Sequence, residues 1–341
     1  MGRKTKMNSI TSPELLAQVN PQNMQLLEDF KDYLRSLQRS EATINGYDSD
    51  IQIAWVWNLK HNNNTFFCDW TKRQVIKYQN WLINENENSP ARIKRLKAAL
   101  SSLGNFIEAV LDDEFPNFRN IINKVESPVN QPVREKTVFT DEQIDSLLNH
   151  LTATGQHKKA CVLALALYSG RRKAELLQFK VDDFTPERLV CGGALYKSAP
   201  MRTKGRGVQG KQLEVFCLAK KFDPYLQRWL TYRKEHDIES EWLFPDKSNP
   251  SEHMSISTLN SWAKTFSTFL GVDFYWHAMR HMTVTTFKRA GIPDTVIQQY
   301  IGWADISMVP VYVDMKADEQ LGMYFNENGM VTPEQKSLAD L

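Results

Sequence analysis

A proline-rich interruption divides this chain into two stretches whose apolar residues recur at helical spacing. The segment VESPVNQPVREKT is polar and carries Pro128 and Pro132. Proline lacks the backbone N–H and clashes with the preceding turn, so neither residue fits inside a helix. We therefore predict an interdomain linker over residues 126–137. A chain of 341 residues is long enough to bury two separate cores, and we expect two domains.

The stretch before this linker predicts four helices. Apolar residues recur every three or four positions in four segments, and three of the segments open with capping signals. These signals are Ser40, Thr71 with Gln74, and Ser89 before Pro90. We predict a helical domain over residues 23–125, preceded by a flexible N-terminus over residues 1–22.

The stretch after the linker predicts further helices and one small sheet. An apolar helix over residues 158–170 is expected to end at Gly170. Short β-prone runs split by glycine-rich turns lie in residues 188–217. We predict a second domain over residues 138–325 and a C-terminal tail over residues 326–341. The expected fold class is mainly α with a small antiparallel sheet (α+β).

Charge, cysteine usage and hydropathy narrow the function. The net charge is only +2, so a nucleic-acid partner requires Lys and Arg concentrated on one face. The four cysteines form no CxxC pair, which favours reduced thiols in a cytosolic protein over a disulfide frame or zinc site. No run of about 18 apolar residues is present, so we expect no membrane span. The first residues lack the apolar core of a signal peptide.

The segment SGRRKAELL places two adjacent arginines beside a glutamate. Arg172 and Glu175 are three apart, and taken alone they are typical of a surface ion pair. The alternative is that an arginine after a helix break presents its planar fork to a phosphate, with Glu175 orienting it. The residues alone do not decide between Arg171 and Arg172.

The segment WHAMRH puts His277 and Arg280 on one face of a helical turn. Taken alone, this pair is typical of a solvated surface helix. His281 is four residues after His277, as in helical metal sites. Because Ala278 stands where the zinc-binding HExxH motif has glutamate, we expect no metal here.

Two more segments carry cations and aromatic residues. A glycine-rich turn is surrounded by five basic residues, Lys197, Arg202, Lys204, Arg206 and Lys211. Such a turn is commonly a solvated hairpin tip, but it also has a shape that enters a DNA groove. Downstream, Trp303 and Tyr312 are most simply core aromatics.

Taken in order, these segments resemble the tyrosine recombinase (phage integrase) family, which includes the Xer and Cre proteins. The family's catalytic domain carries GxRxxEL, a hairpin lysine, HxxRH, a GH or GW step, and a tyrosine nine residues later. The matching residues are Gly170, Arg172, Glu175, Leu176, Lys204, His277, Arg280, His281, Gly302, Trp303 and Tyr312. The resemblance covers about residues 138–325. The N-terminal helices are similar more loosely to the family's SAM-like core-binding domain, through their number and the segment SEATINGY.

The resemblance implies a site-specific recombinase that cuts and rejoins duplex DNA through a 3′-phosphotyrosyl intermediate, with no metal or other cofactor. The implied catalytic set is Arg172, Lys204, His277, Arg280, Trp303 and Tyr312, supported by Glu175 and His281. The arginines and the indole would bind the phosphate, and the tyrosine would attack it. The histidine would be the base or positioning group, and the lysine the acid.

The resemblance also implies partners. Double-stranded DNA recombination sites are expected to meet basic residues, namely Arg92, Lys94, Arg95, Lys97, Arg202 and Arg206. For the first four, which crowd the start of the fourth helix, the equal alternative is a solvated face. The family forms a cyclic homotetramer on two duplexes. We expect residues 318–325 to dock on a neighbouring protomer through Leu321, Tyr324 and Phe325, the alternative being that they close their own domain. We expect a bacterial or phage-encoded protein of the cytoplasm, without a membrane partner.

Two expectations remain open at this point. Pro310 lies two residues before Tyr312 and predicts a kinked or irregular segment there. Three other functions compete with recombination: a catalytically silent DNA-binding regulator, a type IB-like DNA-relaxing enzyme, and a metal-dependent nuclease, which would need a carboxylate cluster.

Overall fold

The computed structural model describes residues 10–129, 137–203, 210–326 and 329–330. The described residues fall into two compact units, one from residue 10 to residue 129 and one from residue 137 onwards. Each unit has its own hydrophobic core.

The first unit is helical. Its helices are α1 (Pro13–Leu16), α2 (Pro21–Ser36), α3 (Glu41–His61), α4 (Lys72–Asn84) and α5 (Pro90–Val110), with 3₁₀ turns at Phe67–Asp69 and Ile122–Lys124. The predicted caps are present, because the Ser40 and Ser89 hydroxyls accept the backbone N–H groups of Thr43 and Arg92. Thr71 and Gln74 form the predicted capping box.

One difference lies at the start of this unit. Part of the segment expected to be flexible, residues 10–22, contains α1, which Ser12 caps. Val19 is buried in the core of the unit. The polar stretch gave no helical periodicity because α1 is only four residues long. Residues 1–9 lie outside the described residues.

The second unit is also mainly helical. Its helices are α6 (Asp141–Ala153), α7 (His157–Ser169), α8 (Lys173–Leu176), α9 (Ala219–Glu235), α10 (Ile256–Leu270), α11 (His277–Arg289), α12 (Asp294–Ile301), α13 (Met308–Tyr312) and α14 (Ala317–Gly322). The 3₁₀ turns are Val181–Phe184, Pro186–Arg188 and Cys191–Gly193. Helix α7 is apolar along most of its length and packs against α9 and α11. This central helix fixes where the residues after Gly170 lie.

Short antiparallel strands complete the second unit. They are β1 (Leu189–Val190), β2 (Leu195–Lys197), β3 (Met201–Thr203), β4 (Lys211–Leu213), β5 (Phe216–Leu218), β6 (Phe325–Asn326) and β7 (Gly329–Met330). One sheet has the order β1-β2-β5, while β3-β4 and β6-β7 form two-stranded pairs. The β6-β7 pair falls largely in the predicted tail, and strands of two residues are too short to show an alternating pattern.

No described helix is both long and apolar enough to cross a membrane.

Candidate active site

Two helices end side by side where the motif residues gather. Helix α7 ends at Gly170 and α12 ends at Gly302, with φ of 61° and 72°. Residues that have a Cβ rarely adopt this left-handed backbone conformation, whereas glycine tolerates it. A Cβ on Gly170 would also lie 2.6 Å from Ile301 Cδ1. The two glycines therefore let the two helix ends, and the arginine and tryptophan that follow them, approach closely.

Tyr312 lies in α13 and faces two histidines of α11. His277 Nε2 is 2.9 Å from the Tyr312 hydroxyl, a hydrogen-bond distance. The His281 ring stacks on the Tyr312 ring, with 4.5 Å between centroids, and its Nδ1 lies 3.2 Å from the Tyr312 carbonyl oxygen. The Trp303 ring also packs against Tyr312, with 4.7 Å between ring centroids. The phenol is thus held in a fixed orientation beside a base.

The expected kink at Pro310 is absent. Pro310 is the third residue of α13. The first four N–H groups of a helix have no acceptor within it, so a proline at this position removes no hydrogen bond. The tyrosine therefore lies at the end of a one-turn helix.

Arg280 is a buried cation with unused donors. The residue is 0% exposed, and its Nη1 donates to the Gly170 carbonyl oxygen at 3.2 Å. Its guanidinium carbon lies 5.0 Å from the Trp303 ring centroid and 5.6 Å from that of Tyr312. Arg280 Nε, Arg280 Nη2 and Trp303 Nε1 are buried, and within the described residues they have no hydrogen-bond partner.

The electrostatics of Arg280 favour binding of an anion. Burial, together with the nearby charges of Arg172 and Arg171, lowers the pKa of Arg280 to about 9. Buried donors without partners are costly and are retained where a ligand satisfies them. An anion beside Arg280 and Trp303 would satisfy these donors and neutralise the excess charge.

The Glu175 carboxylate lies between Arg172 and Arg280. Its Oε1 accepts from Arg172 Nη1 at 2.9 Å and its Oε2 from the Arg172 backbone N–H at 3.1 Å. Glu175 Oε2 also lies 4.0 Å from Arg280 Nη1. The Arg172 side chain is 35% exposed, whereas Arg171 is 2% exposed. Arg172 is therefore the arginine of this pair that can reach a large ligand.

A small cavity connects these residues to the β3-β4 hairpin. It is lined by Arg171, Arg172, Glu175, Thr203, Lys211, Leu213, Ile301, Gly302, Trp303 and Ala304. The hairpin register pairs Thr203 with Lys211. The predicted acid, Lys204, lies outside the described residues, as does Arg206. Lys211 lies at the cavity, and the sequence placed it only within a group of five basic residues.

The remaining predicted DNA-contacting residues divide by exposure. Lys94, Arg95 and Arg202 are exposed, and Arg92 is half-buried. Arg92 Nη1 and Arg95 Nε donate to the buried Asp50 carboxylate at 2.7 and 2.8 Å, and both arginines keep other donors.

The prediction for Lys97 is wrong. This residue is 4% exposed, and its ammonium donates to Gln79 Oε1 at 2.8 Å and to the Val125 carbonyl oxygen at 2.5 Å. Helical spacing turns its side chain inwards, where burial lowers its pKa. Lys97 stabilises the first unit instead of facing solvent.

The geometry defines a helical protein with an anion site built around a tyrosine. The model of the phage integrase family matches residues 137–319, which is more than half of the chain. The chain belongs to this family, as the order of its motifs predicted.

Two curated relatives agree with this assignment. The SPbeta prophage-derived recombinase-like protein YomM of Bacillus subtilis (strain 168) is 28% identical over 332 residues, covering 93% of this chain and 94% of that protein. Tyrosine recombinase XerC of Caldanaerobacter subterraneus subsp. tengcongensis is 25% identical over 328 residues, covering 89% and 86%. The predicted enzyme class, a tyrosine-type site-specific recombinase, is confirmed.

Solved structures share the fold. XerH site-specific recombinase bound to palindromic difH substrate, a post-cleavage complex, has a TM-score of 0.63 at 18% identity, covering 90% of this chain and 89% of that chain. A lambda integrase tetramer bound to a Holliday junction has a TM-score of 0.62 at 15% identity, covering 85% and 77%. The mainly α fold with small antiparallel sheets is confirmed.

Proposed function

We propose that this chain cuts and rejoins duplex DNA at specific sites through a 3′-phosphotyrosyl link formed by Tyr312. One observation carries the proposal. The Tyr312 hydroxyl meets a base, His277 Nε2, at 2.9 Å, and the buried donors of Arg280 and Trp303 beside its ring have no partner among the described residues. A phosphodiester brings the oxygens that these donors need, at the place where the hydroxyl can attack phosphorus.

The roles follow from the chemistry of each group. Arg172 and Arg280 bind the two non-bridging oxygens with permanent positive charge, and the Trp303 indole N–H donates to the same oxygens. The Tyr312 oxygen forms a bond to phosphorus while the bond from phosphorus to the 5′-oxygen breaks. His277 takes the phenol proton as general base.

The leaving 5′-oxygen needs a proton, for which Lys204, the residue after Thr203 in the sequence, is our candidate. Glu175 orients Arg172, and His281 orients Tyr312 by stacking on it. The phosphotyrosyl ester conserves the energy of the broken ester, so a 5′-hydroxyl from a second duplex can reverse the step. This chemistry consumes no ATP and uses no metal ion.

The partners that we propose are double-stranded DNA sites and other copies of this chain. Arg92, Lys94, Arg95 and Arg202 would contact phosphates. Residues 318–325 would dock on a neighbouring protomer in a tetramer, since Leu321 and Tyr324 are exposed at 56% and 43%. The domains that we assign to these tasks are residues 23–125 and 138–325. The biological setting that fits a prophage-derived relative is a mobile element acting on the DNA of a bacterial cytoplasm.

The test is covalent capture on a DNA site. Footprinting of the DNA that flanks the gene would supply the site, and a nicked duplex carrying it would trap the intermediate. We expect the wild type and the control Tyr225→Phe to form a protein–DNA adduct that survives SDS. Tyr312→Phe should bind the same duplex with similar affinity and form no adduct.

Other outcomes would identify the competing functions. Binding without any adduct from the wild type would indicate a regulator. Relaxation of supercoiled plasmids that lack the site would indicate a type IB-like enzyme. Loss of cleavage in EDTA would indicate a metal-dependent nuclease.

A further inference from the structure

Arg171 lies behind the cavity and joins two helix ends. Its Nε donates to the Ser169 carbonyl oxygen at 3.2 Å, and its Nη2 donates to the Tyr300 carbonyl oxygen. Ser169 is the last residue of α7, and Tyr300 lies in the last turn of α12. The carbonyl groups of a last helical turn have no N–H partner within the helix. One side chain thus caps both helices.

This arrangement explains how a cation is tolerated at 2% exposure. Within the described residues Arg171 forms no ion pair with a carboxylate, since Glu175 pairs with Arg172. A helix C-terminus carries a partial negative charge, and two such ends meet the Arg171 guanidinium. Burial nevertheless lowers the pKa of Arg171. Burying a cation that has no carboxylate partner costs free energy. Packing alone therefore does not explain why an arginine is buried at position 171.

The geometry connects Arg171 to Trp303. Gly302 and Trp303 follow Tyr300 within three residues, and the Trp303 backbone N–H donates to the Gln298 carbonyl oxygen of the same last turn at 3.0 Å. A Cβ on Gly302 would lie 3.7 Å from Arg171 Nη1. The position of the Trp303 indole therefore depends on the end of α12 that Arg171 caps. Arg172 is the next residue in the chain after Arg171.

We propose that Arg171 is a positioning residue of the recombination site, which holds the Trp303 donor in register with the Arg172 fork. It acts through these two residues and is not expected to touch the phosphate. The inference rests on the proposed function, since its readout is the rate of DNA cleavage. Displacing a phosphate-binding donor by about 1 Å costs on the order of 10²-fold in rate.

The experiment compares two buried arginines in single-turnover cleavage of the nicked duplex. Arg171→Met removes both caps. The matched control is Arg233→Met, because Arg233 is also buried and lies away from the cavity. In the part of the chain that the structure describes, its hydrogen bonds all go to backbone carbonyl groups, those of Trp242, Leu243 and Ser240 among them. We expect Arg171→Met to slow adduct formation by about 10- to 100-fold, and Arg233→Met to slow it by less than about threefold at equal folded fraction.

A double-mutant cycle with Trp303→Phe separates positioning from general destabilisation. If Arg171 acts by placing the indole N–H, Arg171→Met should cost less than about threefold once Trp303→Phe has removed that donor. An unchanged fold-loss in the Trp303→Phe background would overturn the proposal, as would a rate for Arg171→Met equal to that of Arg233→Met.

Arg171→Lys keeps the inference testable if Arg171→Met does not fold. A lysine keeps the charge but lacks the planar fork that reaches two carbonyl groups, so we expect it to show the same coupling to Trp303→Phe. Full wild-type activity of Arg171→Lys would contradict the positioning role. Failure of the wild type to form any adduct would instead refute the proposed function, and that is known before the variants are compared.

Discussion

The buried charge of Arg280 lowers the stability of the folded protein. Its guanidinium is fully buried, two of its three nitrogens lack partners among the described residues, and burial lowers its pKa to about 9. A buried cation whose donors have no partners costs free energy, and an apolar side chain of similar volume removes that cost. Functional sites commonly carry this kind of cost.

We therefore predict opposite effects of Arg280→Met on stability and activity. Its free energy of unfolding should equal or exceed that of the wild type in urea titrations, because the methionine removes unsatisfied buried donors. Its rate of adduct formation should fall by at least about 10²-fold, since a phosphate-binding donor is lost. Arg233→Met is the control of opposite sign, because the donors of Arg233 are used by carbonyl groups. A loss of stability in Arg280→Met as large as in Arg233→Met would contradict this interpretation.

Most of the proposed catalytic residues were predictable from the order of motifs, but their supporting contacts were not. His277, Arg280, Trp303 and Tyr312 do come together as that order indicates. The cap that Arg171 forms on α12 and the pairing of Asp50 with Arg92 and Arg95 depend on residues 42 to 129 positions apart. Local spacing contains no information about such partners. Lys97 is different, because it follows Ile93 by four residues on the buried face of α5, so helical spacing did indicate its burial.

At the scale of elements, helix ends were predicted best. Capping signals identified the starts of α3, α4 and α5 because the side chain that satisfies the first N–H groups lies within three residues of them. The weak points were α1 and β6-β7, which are too short for periodicity. Pro310 was misread because the start of its short helix, only two residues earlier, was not foreseen.

The end of α7 provides an element-scale prediction. Gly170→Ala and Gly155→Ala both place alanine at positive φ, 61° and 68°, at a cost of about 1–2 kcal/mol each. Only at Gly170 would the new Cβ collide, with Ile301 Cδ1 at 2.6 Å, whereas nothing lies within 4 Å at Gly155. Overpacking adds about 1–3 kcal/mol. Gly170→Ala should therefore unfold at lower urea concentration than Gly155→Ala.

The same pair of variants tests the site. Because the Gly170 clash separates the α7 and α12 ends, Gly170→Ala should also slow adduct formation by about 10-fold or more at full folding, while Gly155→Ala should cleave at the wild-type rate. Equal stability losses and equal rates in the two variants would show that the close approach of the helix ends does not matter.

At the scale of the whole molecule, composition was a poor guide. A net charge of +2 does not indicate that the protein binds DNA. Acidic residues elsewhere in the chain offset the basic residues that the fold brings together. Around the small cavity, three arginine or lysine side chains, Arg171, Arg172 and Lys211, stand against one carboxylate, Glu175. Such local excess is set by folding, so only the motifs, and not the charge total, pointed to a phosphate ligand.

Helix α14 carries the exposed apolar surface that we connect with assembly of several copies of the chain. Helix α14 has no buried residue, and it is tied to α11 by an ion pair between Glu319 and Arg289 at 2.7 Å. Leu321 on this helix is 56% exposed. An exposed leucine on a short helix with so little cover gains most by packing on a second copy.

We predict that Leu321→Asp separates cleavage from recombination. Its single-turnover adduct formation on one nicked site should stay within about threefold of the wild type, because residue 321 lies outside the site. Joining of two sites should fall by at least about 10-fold, since burying an unpaired carboxylate at a protomer contact costs several kcal/mol. The control is Ile256→Asp, which changes an isoleucine of α10 that is 40% exposed. It should leave both activities intact. Protomer number on DNA, measured by light scattering, should drop only for Leu321→Asp, and an unchanged tetramer with full recombination would mean that α14 serves its own domain alone.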